Sequence, residues 1–261
     1  MRHITVEIAL LAMLIATPRY GASATESTLP DTQQAAPNLN LMSAAELEKA
    51  GDEARAQKDL AAAIDYFEAA IKKDRKNAVL YNKLGLTELR KDDLKAARMD
   101  FDKAAKLNPK YAEAINNIGA IEYMKKNYGN AAKYFKKAIA LDEAHSTYHV
   151  NLGAAWFSQK KIDRAIAEYI RAIEIDPDAF RRENRAGIAA QIASPEERAQ
   201  YSYLLAKAYA KRGDLEGCLQ CLRKAKEDGY RNLANVYRDE EFSRLRDNPK
   251  LQEVVPPPVA K

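Results

Sequence analysis

Four consecutive stretches of the chain carry the same order of small, apolar and polar positions, each long enough for two short amphipathic helices. Gly51, Gly85, Gly119 and Gly153 stand at an unbroken interval of 34 residues, and other positions keep step with them. Twelve residues after each glycine comes an alanine (Ala63, Ala97, Ala131, Ala165), and sixteen after it an aromatic (Phe67, Phe101, Phe135, Tyr169). Nineteen after it stands another alanine (Ala70, Ala104, Ala138, Ala172), and twenty-four after it Pro109 and Pro177 close two units where Arg75 and Glu143 occupy the other two. Each unit is too short to bury its own apolar face, so the pattern predicts a helix pair that folds back on itself and stacks on the next pair. In that arrangement glycine and alanine let the helices approach, the aromatic is expected to fill the gap between neighbouring units, and proline to stop the second helix.

Beyond Pro177 the register is lost. Gly187 lies 34 residues after Gly153 and permits one more unit in step, but Pro195 would then fall inside it, so residues 178–193 are read as an insertion. Ser194-Pro195-Glu196-Glu197 is a helix start, with a serine cap, proline in the first turn and glutamates beside the helix N-terminus. A fifth, divergent unit is expected over 194–232, with Ala206 in the glycine place, Gly213-Asp214 at the turn, then Cys218, Leu222 and Ala225. Residues 233–255 read as capping helices, one of them starting at Asp239 and stopping at Asn248-Pro249, and 256–261 as a proline-rich tail.

These residues resemble the tetratricopeptide repeat family over four regular units, residues 44–177. The resemblance implies an all-α fold, a right-handed α-solenoid of stacked helix-turn-helix repeats, and a noncatalytic scaffold whose first helices line a concave groove for a peptide or helix of a partner protein. Mapped from each glycine, the groove stripe holds Asn82, Leu86 and Leu89 in the second unit; Asn116, Asn117, Ala120, Tyr123 and Met124 in the third; and Asn151, Ala154 and Phe157 in the fourth. An amide both donates and accepts, so Asn117 and Asn151 are expected either to hold an extended backbone or to pack between helices. Tyr123, Met124, Phe157 and Leu89 would supply side-chain pockets. The family's carboxylate-gripping variety uses lysine, asparagine and arginine where this chain has Glu48, Asp52, Glu113 and Asn117, so that specificity is not expected. Glu88 and Glu122 stand where the family often has tyrosine, which suggests a partly acidic groove.

The N-terminus changes the picture of where the protein works. "MRH" is a basic start, Ile8 to Ala16 is an uninterrupted apolar run, and Ala22-Ser23-Ala24 has the form of a signal peptidase site. Residues 1–24 are therefore read as a signal peptide and 25–43 as a flexible linker, which predicts an exported protein of the periplasm or cell envelope with no stable membrane span after cleavage. The 261 residues carry 42 basic and 37 acidic side chains, interspersed, so no nucleic-acid partner is expected and no strong basic face is visible.

Few residues suggest chemistry. Cys218 and Cys221 form a CxxC that is either a redox or disulfide pair or, because Cys218 takes the alanine place, core packing. His145 and His149 are four apart, but His145 lies in a turn and no third ligand is near, so packing is preferred over a metal. Trp156 is read as packing, and Arg181, Arg182 and Arg185 as a solvated cluster or one end of the groove. No catalytic motif, metal or cofactor is predicted; the expected partner is a protein or peptide, with self-assembly as a structural subunit of an envelope complex as the alternative.

Overall fold

The computed structural model describes residues 38–180 and 194–258. The predicted signal peptide, most of the linker and of the insertion, including Arg181, Arg182 and Arg185, and the last residues of the tail lie outside them. Among the described residues all regular structure is helical, arranged as five successive antiparallel helix pairs that stack into an α-solenoid, followed by a short C-terminal cover. The pairs are α1 (Ala44–Ala56) with α2 (Leu60–Lys73), α3 (Ala78–Arg90) with α4 (Leu94–Leu107), α5 (Ala112–Met124) with α6 (Tyr128–Leu141), α7 (Ser146–Ser158) with α8 (Ile162–Ile175), and α9 (Pro195–Arg212) with α10 (Leu215–Glu227). A last helix, α11 (Pro249–Val254), ends the described chain.

Similar local devices recur from pair to pair. Each inter-helix turn of the first four units passes through one residue in the left-handed region, Lys58, Asp92, Lys126 or Lys160, with φ between 61° and 66°. In the fifth unit the equivalent residue is Gly213, at φ 84°. In the first, second and fifth pairs the following residue caps the second helix with its side chain. Asp59 accepts from the Ala62 amide, Asp93 from Lys95 and Ala96, and Asp214 from Gly217. The second helices end at Asp74, Asn108, Asp142 and Asp176 in extended or near-extended backbone. Asp74, Asn108 and Asp176 each accept the backbone amide two residues on, at 3.2, 3.1 and 3.0 Å. This Asx turn ends a helix before Arg75 as readily as before Pro109 or Pro177, so proline is not the general stop that the sequence suggested.

The aromatic residues serve two gaps at once. Phe67, Phe101 and Phe135 lie over Gly51, Gly85 and Gly119 of their own unit, where an added Cβ would stand 2.6 to 2.8 Å from the ring, and Tyr169 covers Gly153 still more closely. The rings therefore fill the gap between the two helices of their own unit and also the one towards the next: Phe67 clusters with Leu84, Phe101 with Ile118 and Ile121, and Tyr169 meets Tyr201 edge-on at 5.6 Å. In the fifth pair the relation is inverted: Tyr209 of the first helix covers Gly217 of the second, with a virtual Cβ 2.6 Å from its ring. Ala206, Cys218, Leu222 and Ala225 are fully buried at the places predicted for them.

Ser194 caps α9 by accepting from the Glu197 amide at 3.1 Å, with Pro195 in the first turn, as the sequence indicates. The expected helix from Asp239 is instead a single 3-10 turn, Glu240–Phe242, followed by further turns. So short a segment has little helical stability of its own, and its geometry is set by Phe242 and Leu245 packing inward and by Arg246 donating to the carbonyls of Arg238 and Asp239 at 3.1 and 2.8 Å. Pro249 opens α11 rather than ending a helix, with Asn248 as its cap. Together with Val236, Leu251 and Val254 these residues cover the last pair, pinned by Tyr203 donating to Asp239 at 2.9 Å and by Lys207 between Asp239 and Glu241.

Candidate functional site

The first helices α3, α5 and α7 share one surface, because their asparagines bond directly from helix to helix. Asn117 Nδ2 donates to Asn82 Oδ1 at 2.9 Å, and Asn151 Nδ2 donates to Asn116 Oδ1 at 2.9 Å. Asn116 and Asn117 touch at 3.4 Å, which joins the two pairs into one chain across three units. At its near end Asn82 Nδ2 donates to Glu113 Oε1 at 3.0 Å and to the Tyr111 hydroxyl at 3.2 Å. All four asparagines are buried, at most 8% exposed. Their amides face one another, and none is presented to an incoming backbone.

The bonded residues are 35 apart in each case, three before one unit's glycine to two before the next unit's glycine. The same pair of places is filled at the first joint by Glu48 and Lys83, whose ammonium donates at 2.6 Å to Glu48 and at 2.5 Å to Asp52. Burial by itself would lower the Lys83 pKa, but the two carboxylates outweigh it and hold it above its ordinary value. At the fourth joint the places hold Val150 and Leu204, both buried in one apolar cluster. Each joint thus carries one matched pair: ionic, then amide, then amide, then apolar.

The remaining predicted groove residues divide in two. Tyr123 and Phe157 are 9% and 5% exposed: the Tyr123 hydroxyl meets Ser158 Oγ at 2.9 Å, and Phe157 packs edge-on against Tyr201 at 5.9 Å. Ala154 is buried with them. Leu86, Leu89 and Met124 are half-buried and present apolar surface on α3 and α5, with Leu86 and Leu89 resting on the cluster of Ala97, Phe101, Ile118 and Ile121. On α1 an open depression is lined by Ala45, Glu48, Lys49, Asp52, Glu53 and Ala56.

The residues weighed for chemistry have structural partners. His149 is buried, its Nδ1 2.8 Å from Glu168 and its Nε2 3.3 Å from the Glu143 carbonyl, while His145 stacks on Tyr148 at 4.2 Å. Cys218 is fully buried, and burial pushes its thiol up to about 12, so it is a core side chain and a poor thiolate at neutral pH. Glu122 is held by Arg98, which also binds Asp102, and Glu88 faces Asp100 rather than a groove. Among the described residues no helix is long and apolar enough to cross a membrane.

A family model described as tetratricopeptide repeat matches residues 48–112, 82–145 and 125–180, overlapping windows that together cover just over half of the 261 residues. Among solved structures, MamA protein is 22% identical over 76% of this chain and 95% of its own, with a TM-score of 0.50. A thermophilic TPR protein of Thermus thermophilus is 19% identical over 75% of this chain and 96% of its own, also at 0.50. MamA of Desulfovibrio magneticus, from residue 41 to its end, is 16% identical over 70% and 93%, again at 0.50. At these identities the likeness is one of fold. No curated protein matches the chain in sequence.

Proposed function

Because the chain belongs to the tetratricopeptide repeat family, we propose that it is a noncatalytic protein-interaction scaffold or adaptor of the cell envelope whose first-helix surface receives a peptide or helix of a partner protein. The observation that carries this reading is the strip of half-buried apolar side chains, Leu86, Leu89 and Met124, on two adjacent first helices. On the same face of the first helices lies the polar cluster of Glu48, Asp52 and Lys83 at the first joint, whose side chains keep 29, 37 and 21% of their surface open. A bound segment would place apolar side chains over the leucines and methionine and polar groups against the cluster. Asn82, Asn116, Asn117 and Asn151 serve that surface from behind, fixing the spacing of the helices, and Tyr123 and Phe157 form its wall. Envelope residence rests on the basic start, the apolar run and Ala22-Ser23-Ala24 at the N-terminus.

The test is photo-crosslinking in the native host from a probe at Met124, with a control probe at Met99, which is 65% exposed on α4. A dominant adduct specific to Met124 identifies the partner and supports the scaffold. Identical adducts from both probes, or none, overturn the groove reading and leave self-assembly through other faces as the account.

A further inference from the structure

The structure gathers cations around one buried ring. Trp156, the only tryptophan, is 7% exposed, and three positive heads point at its indole: Lys161 at 4.8 Å, Lys136 at 5.1 Å and Arg164 at 5.2 Å from the ring centroid. They come from three separate segments: α6, the α7–α8 turn and the first turn of α8. Lys160 in the turn lies 5.7 Å from the neighbouring Phe157 ring, and all four side chains are exposed. None of the four forms an ion pair with a carboxylate among the described residues, whereas Lys83, Arg98, Arg171, Arg198 and Lys207 each do. The segment of α6 from Tyr128 to Leu141 contains no acidic residue at all. Heads within about a Debye length of one another repel, and here the π face of Trp156 holds three of them in place.

We infer that this strip is a docking site for an acidic segment of a partner protein, separate from the first-helix surface. Its unanswered ammonium and guanidinium groups are complementary to a short run of carboxylates. Exposed carboxylates interrupt the strip, Asp142 and Glu143 at the end of α6 and Asp163 between Lys161 and Arg164 in sequence. A flat anionic lipid surface would have to approach those carboxylates too, while a flexible acidic segment passes between them. The sequence concealed the strip because its cations come from segments 25 to 28 residues apart, each ordinary when taken alone.

The test uses the full chain and a labelled synthetic peptide of consecutive glutamates, with a glutamine peptide as control, read by anisotropy and by Trp156 fluorescence at low salt. The triple variant Lys136→Glu, Lys161→Glu, Arg164→Glu is compared with a charge-matched variant, Lys72→Glu, Lys76→Glu, Lys110→Glu, altered at exposed lysines elsewhere. Saturable binding of the glutamate peptide by the parent and the charge-matched variant, weakened about tenfold or more in the triple variant at equal helicity, is the expected result. Absence of binding by the parent, or equal binding by both variants, overturns the inference. Capture by phosphatidylglycerol vesicles without binding of the peptide overturns it as well and assigns the strip to membranes.

Discussion

Asn117 and Asn82 share a buried side-chain hydrogen bond at 2.9 Å across the joint between two repeats, and 34 residues later Asn151 and Asn116 repeat it at the same distance. A buried amide left without a partner costs far more than the net worth of the bond it made, so each pair fixes the position of one unit on the next. Asn117→Ala strips a partner from Asn82 and from Asn116 together and is expected to lower stability by about 1–3 kcal/mol. A double-mutant cycle with Asn82→Ala should return a coupling of at least about 0.5 kcal/mol in urea denaturation; additive losses would show that the two amides do not act as a pair.

The glycines predict opposite responses to one chemical change. Gly153→Ala drives a methyl group into the fully buried Tyr169 ring and should cost about 1–3 kcal/mol, as overpacking does. Gly129→Ala, in α6 with nothing within 4 Å of the new Cβ, should stabilise by up to about 1 kcal/mol through helix propensity. Thermal unfolding of the two variants separates these signs without any assumption about function.

Left-handed backbone at a non-glycine residue is strained, and the first four turns contain one each. Lys126→Gly, at φ 61°, is expected to raise stability by about 0.5–1 kcal/mol, the relief being partly offset by the greater freedom of glycine in the unfolded chain. Gly213→Ala, at φ 84°, should lower it. If Lys126→Gly were neutral or harmful in chemical denaturation, the turn would not be under the strain assigned to it.

Glu88 sets a pH dependence. Burial, and next the neighbouring Asp100 carboxyl, push it from 4.5 up to about 8, and burial raises Asp100 as well. The folded chain therefore holds a proton that the unfolded chain has released over that interval, so stability must fall as pH rises from about 4.5 to about 8 and level off above it. Glu88→Gln should flatten that decline, which denaturant midpoints measured across the interval report directly.

Much of the fold could be read from spacing alone, since Gly51, Gly85, Gly119 and Gly153 and the residues in step with them mark packing places that few other side chains fill. The cap at Ser194 followed from local chemistry. Spacing does not say which neighbour a side chain meets. Phe67 proved to cover its own unit's glycine, and Tyr209 reached Gly217 in the reverse sense. The spacing puts the asparagines on one face and aligns Asn117 with Asn151, its counterpart 34 residues on, whereas its partner is Asn82, 35 residues back. That extra residue carries the pairing from one helix to the next. The segment after Asp239 misled because its caps are local whereas its shape is dictated by Phe242 and Leu245 from a distance.

The matched pairs at the joints also govern how such an array can change length. Excision of the third unit by recombination would bring Asn82 opposite Asn151, and excision of the second would bring Glu48 opposite Asn117; in both offspring a donor still meets an acceptor. Loss of the fourth would set Asn116 against Leu204 and strand an amide in an apolar wall. The array is therefore free to shrink or grow by slippage at its N-terminal joints and is locked at the last, a polarity of tolerated copy-number change written into two places per repeat.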